Sequence, residues 1–209
     1  MSGIRTTGPV QWQNGKVARS DRERLLGQHA VTVWLTGLSG SGKTTLAFEL
    51  ERRLVQAGRA CYVLDGDNVR HGLTADLGFS PADRSENIRR VAEVANLMND
   101  AGLIVITAFI SPSVTDRARA RAVIGNDRFL EVFLAADLAV CEARDPKGLY
   151  ARARAGQIPD FTGVSAPYDV PEFPDLLLST GRDSVDHCVD EVMRLMTDRL
   201  WLSGPSDRR

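Results

Sequence analysis

The sequence predicts an α/β fold: a doubly wound, five-stranded parallel sheet with helices on both faces. Three observations lead there. Short apolar, β-branched runs alternate with amphipathic helical patterns, as in parallel sheets covered on both sides. A glycine-rich loop, Gly37 to Thr44, joins the first such run to a helical pattern. The polar residues that interrupt the pattern follow the ends of predicted strands one, two and three, where open α/β sheets bind ligands.

Residues 1–20 are polar and weakly patterned, and read as an N-terminal arm. The folded domain is expected over residues 21–200, with a tail at 201–209 that frays from Ser203 to Arg209. Ser20 to Gly27 has a Ser cap, early acids and a closing glycine, which predicts a short helix. Val31 to Thr36 is the first strand. A helix follows with Leu46, Leu50 and Leu54 on one face, and Gly58 ends it. Cys61 to Asp65 is a second short strand that breaks into the polar run Asp65 to Asn68. Ile88, Val91, Ala92, Ala95 and Met98 mark a long amphipathic helix; Asp83 and Glu86 have capping-box spacing at its start, and Gly102 follows its end. Leu103–Phe109, Phe129–Leu134 and Leu176–Ser179 supply strands three to five, and Val185, Val189, Val192 and Met196 a C-terminal helix. Between Asp145 and Pro174 regularity gives way to Gly, Pro, Lys147, Arg152 and Arg154. A basic loop of that length (about 145–174) predicts a lid over bound phosphates.

Composition narrows the function classes. With 209 residues there is room for one well-buried α/β domain. The formal net charge of −1 gives no global field to recruit nucleic acid or an anionic membrane, although Arg117 to Arg121 and Lys147 to Arg154 are local basic clusters. No apolar run reaches transmembrane length, and no signal-peptide core opens the chain. Cys61, Cys141 and Cys188 are odd in number, far apart and set in apolar segments, which predicts reduced, mostly buried thiols in a cytoplasmic protein. The histidines at 29, 71 and 187 lack ligand spacing, so a structural zinc is not expected.

The glycine loop carries the first functional statement. Gly37, Leu38, Ser39, Gly40, Ser41, Gly42, Lys43 and Thr44 fit G-x-x-x-x-G-K-[ST], with Thr45 next, between a strand and a helix. That is the setting of a P-loop, and it makes the predicted fold P-loop NTPase-type. Glycines let backbone N–H groups converge on phosphate oxygens, and the helix N-terminus adds a favourable dipole. Lys43 would neutralise the β/γ-phosphates of ATP, and the Thr44 hydroxyl would ligate Mg²⁺. The Asn-Lys-x-Asp guanine reader of GTPases is absent, and the D-x-x-G match at Asp145–Gly148 is too short to count. Asp65 and Asp67 flank a glycine where strand two emerges beside the loop. One carboxylate could accept a proton from an attacking hydroxyl and the other orient Mg²⁺, but spacing alone equally fits a polar turn.

A resemblance goes further. The run Asp65-Gly-Asp-Asn-Val-Arg-His-Gly-Leu73 resembles the signature of adenylyl-sulfate kinases. Matching segments follow in order: Leu77–Ser80, Asp83–Arg90, Phe109–Pro112, Cys141–Tyr150, Ala153–Gly156, Phe161–Gly163 and Ala166–Tyr168. The similarity runs from about residue 10 to residue 200. It implies Mg²⁺-dependent transfer from ATP to the 3′-hydroxyl of adenosine 5′-phosphosulfate (APS), giving 3′-phosphoadenosine 5′-phosphosulfate (PAPS). It further implies a homodimer and a functional link to an ATP sulfurylase. By resemblance, Phe79 and Phe161 would sandwich the APS adenine, at about 1 kcal/mol per stacked pair. Arg70 and Arg84 would clamp the phosphosulfate, Asn87 would fix polar groups, Ile110 and Ser111 would line the substrate, and Lys147 would reach the anion from the lid. Asp67 would face the substrate ribose and Asp65 the metal or base role, an assignment the sequence leaves open. Arg144 would stack on the ATP adenine. Ser111 matches a serine regarded in bacterial members as a phosphoserine intermediate. Ser111 followed by Pro112 equally reads as a helix N-cap with a first-turn proline. Departures from the family pattern are modest: Thr44 stands for a common serine, Ser113 for a frequent aromatic, Gln13 for a frequent histidine, and residues 164–171 lack a usual acid. Two rival readings are a kinase for another nucleotide or sugar hydroxyl, and a catalytically idle nucleotide-binding partner of a sulfurylase.

Overall fold

The computed structural model describes residues 11, 13–199 and 201–202. Five strands form one sheet, β1 (Thr32–Thr36), β2 (Cys61–Asp65), β3 (Ile104–Ala108), β4 (Phe129–Leu134) and β5 (Leu176–Leu178). Their order is β2-β3-β1-β4-β5, and every pairing is parallel. The doubly wound, P-loop NTPase-type sheet expected from the sequence is the one observed. Seven helices surround it among the described residues: α1 (Arg19–Leu26), α2 (Lys43–Gln56), α3 (Pro81–Asp100), α4 (Val114–Ile124), α5 (Leu138–Arg144), α6 (Leu149–Arg154) and α7 (Val185–Asp198).

Strand alternation divides the core in two. On one face Val31, Val33 and Leu35 pack with Leu46, Leu50 and Leu54 of α2 and Val189, Val192 and Met196 of α7. On the other, Trp34 packs with Ile88, Val91 and Ala95 of α3 and Ala120 and Ile124 of α4. Trp34 stacks between Phe109 and Phe129, at ring-centroid distances of 6.2 and 5.5 Å. β1 therefore carries bulk on both sides, which holds the strand feeding the glycine loop rigid.

Several boundaries differ from expectation, each for a local reason. α1 begins at Arg19, inside the predicted arm; most of that arm, like residues 203–209 of the tail, lies outside the described residues. Trp201, placed in the tail by the sequence, is buried in the core beside α7. α3 starts at Pro81, earlier than the Asp83 expected from the capping box. Ser80 accepts from the Asp83 amide, and Pro81 is preorganised for the first turn. α4 is capped by Ser113, whose hydroxyl accepts from the Asp116 amide, so Ser111 and Pro112 are not the cap-and-proline pair they resemble. The predicted lid contains α6, whose Tyr150 and Ala153 join Phe161 and Cys141 in a small third core.

Candidate active site

The site lies beyond the carboxyl ends of β1, β2 and β3. The loop after β1 must bend tightly: Gly37 has φ 153° and Gly40 φ 75°, and a Cβ at Gly40 would lie 2.9 Å from the Cys141 carbonyl. Tyr150 of α6, in the predicted lid, braces the loop by donating to the Ser39 carbonyl at 2.9 Å. Lys43 opens α2 and is itself buried. Its Nζ donates to the Gly37 and Leu38 carbonyls at 2.9 and 2.7 Å, folding back along the loop. Burial pushes its pKa down from 10.5 to about 8, with Asp65 acting in the opposite direction.

The two aspartates after β2 have different surroundings. Asp65 ends the strand and is buried. Its Oδ2 accepts the Thr44 hydroxyl at 2.8 Å, and its Oδ1 accepts the Asp67 amide at 3.0 Å and the Asn68 amide at 3.4 Å. Asp67, two residues on, is exposed and forms an ion pair with Lys147 of the lid. Lys43, Thr44, Asp65, Asp67 and Lys147 are thus gathered at one place.

The residues expected on the acceptor side are joined mainly by arginines. Phe79 is exposed, with the Arg70 guanidinium 4.2 Å from its ring centroid. Arg70 Nη1 donates to the Leu77 and Gly78 carbonyls at 3.2 and 3.1 Å. Arg84 donates to the Phe79 carbonyl at 2.8 Å, to the Thr162 hydroxyl at 3.0 Å, and to the Asp160 carbonyl. That bridge ties the Phe79 segment to the Phe161 segment. The Phe161 ring is buried, edge-on to Tyr150 at 5.0 Å. Asn87 is buried on α3, and its Oδ1 has no hydrogen-bond partner among the described residues. Arg144 reaches from α5 to the Thr180 carbonyl at 2.7 Å and the Gly40 carbonyl at 3.4 Å.

Ser111 follows β3 with φ 39°, a left-handed conformation unusual for serine. Its hydroxyl faces inward, 2% exposed, accepting from Trp34 Nε1 at 3.2 Å and donating to Thr36 Oγ1 at 3.0 Å. The Thr36 hydroxyl in turn donates to the Ile110 carbonyl at 2.8 Å.

Known proteins match this chain over most of its length. The family model for adenylylsulphate kinase matches residues 29–179, which span every candidate site residue. The chain belongs to the adenylylsulphate kinase family. Two relatives named adenylyl-sulfate kinase come from Prochlorococcus marinus, 55% identical over 88% of this chain and 92% of the relative, and Clostridium kluyveri, 52% identical over 91% and 96%. The solved Mycobacterium tuberculosis APS kinase CysC, in complex with AMPPNP and APS, is 52% identical over 81% of this chain and 99% of its own, with a TM-score of 0.78.

Several residues packed around the candidate site were not singled out by the sequence. Trp34 and Thr36 sit on β1, where strand alternation was the only available signal, and it does not reveal which polar group lies opposite. Tyr150 and Tyr168 belong to matched segments without an assigned role. Tyr168 lies 2.9 Å from Thr36 Oγ1, and burial pushes its pKa up to about 12. Among the described residues no group of three or more His, Cys, Asp or Glu gathers as a metal cage, and no helix is long and apolar enough to cross a membrane.

Proposed function

We propose that this adenylylsulphate kinase family member transfers the γ-phosphoryl group of ATP to the 3′-hydroxyl of APS, forming PAPS. The observation that carries the reading is the division between the two aspartates: Asp65 is locked onto Thr44, while Asp67 is exposed beside the lid lysine. The names of the relatives and the ligands of the M. tuberculosis structure support the choice of substrates.

The residues divide as follows. The backbone of Gly37–Gly42, Lys43 and Thr45 holds the ATP phosphates, and Arg144 covers the ATP adenine. The Thr44–Asp65 pair fits Mg²⁺: a hydroxyl and a carboxylate, both hard oxygen ligands, suit a cation that keeps waters and takes phosphates for its remaining positions. When bound, Mg²⁺ neutralises charge on the β- and γ-phosphates. Asp67 accepts a hydrogen bond from the ribose 3′-hydroxyl and orients it for in-line attack, taking its proton as the new bond forms. Lys147 leaves Asp67 for the anion as substrate enters. Phe79 and Phe161 enclose the acceptor adenine. Arg70 and Arg84 exchange their carbonyl partners for the phosphosulfate, and Asn87 supplies its free acceptor. Ile110 and Ser111 line the acceptor side. Ser111 serves as a wall and not as a phosphate carrier, because its hydroxyl is turned inward with no adjacent base.

We further take the enzyme to be a cytoplasmic homodimer. Its three free cysteines suit a reducing compartment, and the family resemblance supports the dimer. An adenylylation of sulfate must supply its substrate, which links it functionally to an ATP sulfurylase. The test is ADP release from Mg·ATP with APS, against adenosine 5′-monophosphate as control acceptor. Turnover with APS alone is expected. Turnover with another acceptor, or none, transfers the assignment to a different small-molecule kinase or an idle nucleotide-binding protein.

A further inference from the structure

The basic cluster on α4 has no part in the reading above, yet one of its members is deeply built in. The Arg117 side chain is 2% exposed, and each guanidinium nitrogen has a partner. Nε donates to Glu131 Oε1 at 2.8 Å. Nη1 donates to the Ser111 carbonyl at 2.8 Å and the Pro112 carbonyl at 3.2 Å. Nη2 donates to the Asp169 carbonyl at 2.7 Å, and the guanidinium carbon lies 5.8 Å from the Tyr168 ring centroid. One side chain therefore joins β4, the turn after β3 and the far end of the lid.

The turn after β3 and the lid end are tied together by further bonds, which also bring in β1 and the first turn of α4. The Asp169 amide donates to the Pro112 carbonyl at 2.9 Å. The Val114 amide, at the first turn of α4, donates to Asp169 Oδ2 at 3.0 Å. Tyr168 meets Thr36, which holds Ile110 and Ser111. At the centre is Ser111 at φ 39°, a conformation that persists only where its surroundings over-determine it.

We propose that Arg117 is a positioning residue for the acceptor half of the site. It holds the Ser111–Pro112 turn in its left-handed conformation and staples the Tyr168–Asp169 end of the lid to that turn. The lid is then fixed at its Tyr168 end and closes at a set distance from Ile110 and Ser111. This rests on the reading of Ile110–Ser111 as the acceptor wall. A simple buried ion pair does not explain the arrangement, because Glu131 has a second cation in Arg121 Nη2 at 3.4 Å, and the other two Arg117 nitrogens go to loop carbonyls. Three separate nitrogens of a planar fork meet these partners; the single nitrogen of a lysine cannot lie within hydrogen-bond distance of all of them.

The test is Arg117→Lys in the full chain, read two ways. Steady-state kinetics should show KM for APS raised at least tenfold, with KM for ATP and kcat changed less than threefold. Trypsin cleavage after the exposed lid residues Arg152 and Arg154 should be at least fivefold faster than in the wild type, and less protected by APS. Tyr168→Phe removes only the hydroxyl contact and should move both readouts in the same direction by a smaller factor; it carries the test if Arg117→Lys does not fold. Unchanged KM for APS and unchanged lid cleavage, whatever the shift in Tm, overturn the proposal. If the wild type shows no APS-dependent turnover, the functional reading falls while the cleavage arm still decides whether the staple exists.

Discussion

The two halves of the site are held by different means. On the phosphate side, the loop after β1 is fixed by main-chain geometry, by a lysine bonded to its own loop, and by an aspartate at the end of a buried strand. On the acceptor side, exposed Phe79 and buried Phe161 are linked through Arg84, and Lys147 reaches Asp67 across the cleft. Those bonds run from arginine and lysine side chains to carbonyls, a hydroxyl or an exposed carboxylate. They can be exchanged for an anionic ligand at little cost, whereas the loop cannot be rebuilt without unfolding β1. On the proposed function, the contrast separates a preorganised electrostatic cradle, which needs no reorganisation during reaction, from a jaw that closes on the acceptor.

The largest expected effect comes from breaking the cradle. Lys43→Ala should lower kcat/KM for ATP by about 10³-fold, in the range found for removing a preorganised charged donor, while leaving the fold intact by circular dichroism. The reason is visible in its pKa. Burial holds Lys43 near 8 in the folded protein against an ordinary value of 10.5. Between those pH values the unfolded chain binds the extra proton, so this group makes stability rise with pH across that window, and its buried charge is destabilising below it. Lys43→Met should therefore have a higher Tm than wild type at pH 7, with the difference shrinking as pH rises toward 10. Catalysis should run the other way: kcat/KM for ATP, which reports the free enzyme, should fall above about pH 8, by about tenfold per unit. A flat profile to pH 9.5 would mean that nucleotide binding does not depend on the Lys43 charge.

Next in size is the contrast between the aspartates. Asp65→Asn keeps the shape but removes the charge beside Thr44, so it should raise the Mg²⁺ concentration needed for half-maximal rate by about tenfold or more, as supporting groups around a metal do. Asp67→Asn should leave the Mg²⁺ requirement alone and lower kcat by about 10²-fold, the usual scale for losing a general base. Titrating Mg²⁺ at saturating ATP and APS for both variants separates the roles. An equal change in Mg²⁺ requirement in both would put both carboxylates on the metal.

The same contrast explains what the sequence could disclose. The cradle is written locally: glycine spacing, a β-branched run before it and leucines at helical spacing after it lie within about 25 residues. Its fold, strands and phosphate residues were therefore legible. The jaw is written at long range. Arg84 meets residues 160 and 162, Lys147 meets Asp67, and Tyr168 meets Thr36, pairs that no periodicity connects. Only the family resemblance singled out most of those residues, and it could not supply their partners. Arg117 shows the limit. In the sequence it is one of three arginines in a basic cluster, and only the fold distinguishes it as the buried one.

The smallest expected effect is at Ser111, where cradle and jaw meet. Its hydroxyl accepts from Trp34 and donates to Thr36, so removing it forfeits two buried hydrogen bonds, at about 1 kcal/mol each. Ser111→Ala should accordingly lower Tm by a few degrees, yet retain activity within about tenfold, because in-line transfer directed by Lys43 and Asp67 needs no covalent relay. Alanine keeps the backbone strain at φ 39° and so isolates the hydroxyl. Steady-state turnover by the variant, together with no ³²P retained on wild-type enzyme after a [γ-³²P]ATP pulse without APS, would fix Ser111 as a hinge between the two halves. Loss of all turnover with an intact fold, accompanied by label trapped on the wild-type serine, would instead require the Ser111 turn to flip its hydroxyl outward. The rigid Trp34–Thr36 contacts that close it off would then have to open in every catalytic cycle.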